Sequence, residues 1–128
     1  MRIFAKKKIR MKEEFKKFLL ELGATINDNT DAIISFEYKE LSYLFFSEED
    51  DYYIRLILPR IYEIDKIEDQ LKLYQKINKY NVEYKAIKMS VIDNFVWLSV
   101  EQFIYSRENA GKLFGRLIYL LDKVISKF

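Results

Sequence analysis

The sequence predicts an α+β domain built on an antiparallel sheet, and three observations carry that reading. Stretches with helical apolar spacing bracket stretches that alternate every two residues. The strand-like stretches come in runs rather than singly between helices, which favours hairpin pairing over parallel crossovers. Only 3 Gly and 1 Pro interrupt 128 residues, so short loops must join mostly regular elements. The predicted order is α-βββ-α-ββ-α, a five-stranded antiparallel sheet with helices packed mainly on one face, forming one domain over residues 1–128.

In the first helix Met11, Phe15, Phe18, Leu19 and Leu22 fall on one stripe, and Gly23 stands where a left-handed C-cap belongs. The stretch "DAIISFEYKELSYLFFSEEDDYYIRLILP" then replaces helical spacing with alternation of β-branched and aromatic residues. It reads as strands at about 32–38, 41–47 and 52–58, with a first turn near Lys39 and Glu40 and an acidic turn at 47–51. Pro59 is expected to close the third strand, because proline offers no ladder donor.

The second helix opens on a capping box, Asp65 with Glu68, and lays Ile67, Leu71, Tyr74 and Ile77 on one face. "INKYNVEYKAIKMSVIDNFVWLSVEQF" follows as a helix end and a hairpin. If Asp93-Asn94 forms a two-residue turn, both residues tolerate positive φ and Ile92 pairs with Phe95. Ile87, Met89 and Val91 then share a face with Val96, Leu98 and Val100, while Ala86, Lys88 and Ser90 oppose Trp97, Ser99 and Glu101 on the other. A slip of one residue destroys that sorting. The last helix, with Ser106 as N-cap, carries a nearly unbroken apolar face through Ala110, Leu113, Phe114, Leu117, Ile118, Leu121, Val124, Ile125 and Phe128.

One sheet face is therefore core for three helices. The other carries Phe95, Trp97, Lys88 and Glu101, together with Tyr53, Arg55 and Ile57 of the third strand. Half aromatic and half charged, it is neither a clean core nor a clean surface.

Composition narrows the chemistry. The chain has no cysteine and no histidine, which removes disulfides, thiolate catalysis and imidazole chemistry and suits a reducing cytoplasm. The start of the chain lacks the continuous apolar segment of a secretory signal, and no run reaches membrane-spanning length, so a soluble intracellular protein is expected. Residues 1–17 hold 8 Lys/Arg against 2 Glu, whereas residues 18–128 hold 14 against 18, so a basic arm precedes an acidic body. A solvated helix face is the simplest account of that arm, and contact with nucleic acid is the functional one.

No motif for a cofactor, a metal or catalysis stands out. The acidic runs at 27–31 and 48–51 lack the glycine and distant glutamate of a calcium loop and read as solvated turns. Glu37, Glu63 and Glu101 are acids that nothing in the sequence places in pairs across a cleft. Asn81 is expected to take the left-handed C-cap of the second helix, and Asn78 to hydrogen-bond strand or loop backbone. Gly111 and Gly115 form a small-xxx-small pair whose expected purpose is close approach of the last helix to the sheet or to a partner subunit.

The element order resembles that of the YbjN-like family within the type III secretion chaperone-like superfamily. So does the wording of the hairpin region: Asn78 and Asn81 at a helix end, Lys85 and Lys88 on a strand, Asp93 in the turn, and Val96-Trp97-Leu98-Ser99-Val100-Glu101 after it. The resemblance implies a compact, dimer-forming bacterial domain that binds another protein, as a secretion chaperone holding an extended client or as a regulatory factor. It brings no catalytic residues. Classical secretion chaperones are acidic, whereas this chain has a sequence pI of 8.6.

The function expected is thus non-enzymatic protein binding by a homodimer, through the aromatic sheet face or an exposed strand edge. Trp97, Phe95, Tyr53, Arg55 and Lys88 are the expected contact residues. The alternative is nucleic-acid binding through the basic first helix and the same aromatic face. An enzyme relying on carboxylates is the third reading, and it would need a deep pocket with perturbed acids.

Overall fold

The structure is a computed structural model that describes residues 11–30, 33–47, 53–64, 70–103 and 110–128. The expected acidic turn, the Asp65–Glu68 capping box, the Ser106 cap and most of the basic arm lie outside the described residues. The described elements are α1 (Met11–Leu22), β1 (Thr25–Asn29), β2 (Ile33–Tyr38), β3 (Leu41–Ser47), β4 (Tyr53–Glu63), α2 (Gln70–Glu83), β5 (Ile87–Ile92), β6 (Phe95–Phe103) and α3 (Ala110–Lys127). All strand pairings are antiparallel, in the order β1-β2-β3-β4-β6-β5. The α+β class is as expected, but the sheet has six strands rather than five.

The additional strand is β1, whose sequence TINDN shows no apolar alternation. It needs none. As an edge strand it draws its stability from backbone pairing with β2, and Ile26 alone packs against the core. The register breaks between Ile26 and Asp28, a bulge that blunts the edge. The run at 27–31 expected as a solvated turn thus begins as a strand.

Helix α1 ends as its sequence directs. Gly23 adopts a φ of 85°, its N–H donates to Leu20 O at 3.3 Å, and the Ala24 N–H donates to Leu19 O at 3.0 Å, which is the Schellman arrangement. Pro59 does not end its strand. β4 continues to Glu63 through an irregularity in which Pro59, Arg60 and Ile61 stand opposite Trp97 alone, between the pairs Leu58–Leu98 and Tyr62–Val96. Arg60 there has a φ of 51°. A bulge leaves residues out of the ladder, and so it tolerates the missing donor.

The β5–β6 hairpin has the predicted register, from Ile92–Phe95 through Ile87–Val100. Asp93 and Asn94 have φ of 49° and 68°, the requirement of a type I′ turn. The Asn94 side-chain amide donates to Ile64 O, and the Asn94 backbone carbonyl accepts from the Ile64 N–H at 2.9 Å, fastening the turn to the end of β4. Lys39 and Glu40 form a matching turn between β2 and β3, again with positive φ at both residues.

The inner sheet face and the helices make one core. Phe15 is its centre: its ring stacks on Phe45 with centroids 3.9 Å apart and meets Phe114 edge-on at 4.7 Å. Such pairs add about 0.5–1.5 kcal/mol each beyond the area they bury. Helix α3 buries Phe114, Leu117, Ile118, Leu121 and Val124 as its spacing predicts. Helix α2 departs from prediction. Its buried residues are Ile77 and Tyr80, with Leu73 and Tyr84 beside them, whereas Leu71 and Tyr74 remain 69% and 46% exposed. The tyrosine hydroxyl decides the rotation, because Tyr80 Oη donates to Lys127 O at the end of α3 while its ring meets Phe128.

Candidate functional site

Alternation places Tyr53, Arg55 and Ile57 of β4 on the outer sheet face with Phe95, Trp97, Ser99, Glu101 and Phe103 of β6 and Lys88 of β5. The described helices bury their side chains in the inner cluster, which contains none of these outer residues. The five contact residues expected from sequence therefore share one face, spread along the length of β6. Arg55 lies opposite Glu101, and Tyr53 opposite Phe103.

Glu101 is the electrostatic centre. It accepts a hydrogen bond from Tyr53 Oη, its carboxylate lies 3.2 Å from Lys88 Nζ, and Arg55 Nη1 stands 3.8 Å away. The Tyr53 hydrogen bond, followed by Lys88 and Arg55, holds its carboxyl below the usual carboxylate range against the opposing effect of burial. A carboxylate stabilised in this way is a poor proton donor or acceptor near neutrality.

Aromatic rings surround the charges. The Arg55 guanidinium lies 5.1 Å from the Phe46 centroid and the Arg60 guanidinium 4.9 Å from that of Phe95, both within cation–π range. Tyr53 and Phe103 meet at 5.1 Å with rings inclined by 62°. Between the two ends, Ile57 and Ser99 pair across the strands and are only 7% and 8% exposed. Two buried donors, Arg55 Nε and Trp97 Nε1, have no hydrogen-bond partner among the described residues. Buried donors without acceptors are uncommon, at a cost of about 1–3 kcal/mol each.

Sequence reasoning missed Phe46, Phe103 and Arg60. The first two share the period-two parity of the outer face and were legible on that ground. Arg60 was not, because only the bulge turns it toward Phe95.

The expected helix-end roles of the asparagines are corrected. Asn81 does not form a left-handed cap. Its amide takes both backbone groups of Met89, accepting from the N–H at 2.7 Å and donating to the carbonyl at 3.0 Å. The left-handed residue is Ala86, with a φ of 70°, and Asn78 is exposed. Since Met89 lies on edge strand β5, Asn81 occupies backbone positions that an added strand would use. The glycine pair also departs from expectation. Gly111 faces open space, and a Cβ at Gly115 would meet the Phe18 ring of α1 at 3.9 Å, so neither supports close approach to the sheet.

Among the described residues no helix is long and apolar enough to cross a membrane. No protein-family model matches the sequence, and no curated protein matches it. Among solved structures, the chain is similar to the crystal structure of YbjN from E. coli, described as "a putative transcription regulator". The TM-score is 0.58 at 14% sequence identity, covering 88% of this chain and 87% of that one. The likeness is one of fold, and it extends over nearly the whole of both chains.

Proposed function

We propose that this chain is a non-enzymatic, regulatory or chaperone-like binding module that acts in the cytoplasm as a homodimer and holds a protein partner on its outer sheet face. The observation that carries the reading is that face itself: Tyr53, Phe95, Trp97 and Phe103 interleaved with Arg55, Lys88 and Glu101, with two buried donors that lack acceptors among the described residues. Aromatic residues and arginine are the side chains enriched at protein interfaces, and a charge network at the rim sets orientation. Face binding is favoured over strand addition, because Asn81 occupies one sheet edge and the polar, bulged β1 forms the other.

The test combines Trp97→Ala and Tyr53→Ala with affinity capture from a lysate of the host, with and without nuclease, and light scattering for oligomeric state. The expected outcome is a stoichiometric protein partner that survives nuclease and is lost in both variants while the fold is kept. Unchanged capture and unchanged oligomeric state in folded variants would sink the proposal.

The description of YbjN and the cations over aromatic rings at Arg55 and Arg60 favour a second reading, nucleic-acid binding on the same face. It predicts affinity that falls steeply with salt, because each neutralised phosphate releases counterions.

A further inference from the structure

On the helical side of the sheet, α1, α3 and the turn after β2 enclose an open cleft of about 150 Å³. Phe18, Tyr38 and Tyr119 form its walls, Gly115 its floor, and Lys39 and Asp122 contribute charges of opposite sign. Three features set it apart from incidental surface roughness.

The first is the glycine. Gly115 lies inside an 18-residue helix, where glycine is disfavoured relative to alanine. Packing does not demand it, since an added Cβ would make only an ordinary contact with Phe18. What a methyl group would take away is the floor space of the cleft.

The second is charge. Lys39 lies 5.4 Å from the Tyr38 ring centroid, and neither it nor Asp122 makes an ion pair with another described residue. The charge of Asp122 is also felt by the buried Tyr43 phenol, which is not part of the cleft lining and is pushed up to about 12, chiefly by burial and then by Asp122. The third is size. The volume falls below the roughly 300–1,000 Å³ of pockets for drug-sized ligands, which restricts the occupant to a small molecule.

From these features we propose that the cleft binds a free α-amino acid with an apolar side chain. Asp122 receives the ammonium, Lys39 the carboxylate, and the side chain lies over Gly115 against the aromatic walls. The same rings attract the ammonium through their negative faces. An apolar slot flanked by opposite charges that form no ion pair with another described residue offers one partner to each end of a zwitterion, whereas either half alone would engage only one of them.

The experiment is amide NMR titration of the full ¹⁵N-labelled chain with L-leucine and L-phenylalanine, alongside 3-methylbutylamine and 4-methylpentanoate, which are leucine without its carboxylate and without its amine. Saturable shifts at Gly115 and Lys39 are expected with an amino acid, and affinities about tenfold weaker with either half-ligand. Asp122→Asn and Lys39→Gln should each weaken leucine binding by about the same factor. Gly115→Ala should weaken it while leaving the thermal midpoint unchanged or higher, which separates loss of the slot from loss of the fold. Absence of saturable shifts at millimolar amino acid overturns the proposal. So does equal binding of the half-ligands, or leucine affinity that is indifferent to Asp122→Asn and Lys39→Gln.

Discussion

Tyr43 shows how a single buried hydroxyl ties stability to pH. It is 1% exposed, its ring stacks on Phe36 at 4.9 Å, and burial followed by the charge of Asp122 raises its pKa from 10.0 to about 12. A group whose folded pKa exceeds its unfolded value contributes stability in full below the unfolded value and loses it as pH rises through the folded one. The window here is pH 10 to 12, and the full loss approaches about 2.7 kcal/mol, one unit being worth about 1.4. Urea midpoints measured across that window should fall steeply for the native chain and less steeply for Tyr43→Phe. Parallel slopes would remove Tyr43 as the cause. Glu101 has the opposite sign. Its folded pKa is lowered, chiefly by Tyr53, so its contribution is present above the unfolded value and fades as pH falls through the folded one. Glu101→Gln should cost roughly 1 kcal/mol at neutral pH, and urea titrations of the two proteins should converge in acid.

At the scale of elements, the guarded edge of the sheet invites the sharpest test. The Asn81 amide satisfies both outward-facing groups of Met89 on β5. Asn81→Leu keeps comparable bulk but strands an N–H and a carbonyl, at a cost of about 1–3 kcal/mol, and opens the edge to another chain. A lower denaturation midpoint together with concentration-dependent light scattering is expected. A variant that loses stability yet stays dispersed would mean that Asn81 only fastens α2 to the sheet. The same element shows where sequence reading reached its limit. Apolar spacing found α2 but chose Leu71 and Tyr74 for burial, because Leu71, Tyr74 and Ile77 satisfy helical periodicity as well as Leu73, Ile77 and Tyr80 do. Only the docking of Tyr80 on the end of α3 separates the two stripes. The β5–β6 hairpin was legible in full, since one two-residue turn fixes every pair after it. Strand β1 was illegible because a bulged edge strand exposes nearly all its side chains and leaves no pattern to read.

For the whole molecule, class, the three described helices and the outer face followed from period and parity, which are local properties of the chain. Strand order did not. Nothing local reveals that β6 inserts between β4 and β5, and that insertion brings Arg55 opposite Glu101 and Trp97 opposite the bulge. The insertion also shapes how the chain reaches its native state. β1 to β4 form a meander of neighbours in sequence, whereas Tyr53 must find Phe103 and Leu58 must find Leu98. Contacts that distant are entropically slow to form, so this pairing is expected to limit the rate of folding. During synthesis from the N-terminus, β4 emerges long before its partner and presents a bare hydrogen-bonding edge rich in isoleucine and leucine. The interval between the appearance of β4 and the arrival of the β5–β6 hairpin is thus the period in which a nascent chain is most exposed to misassociation, and Arg55 and Pro59 on that edge are the residues placed to discourage it.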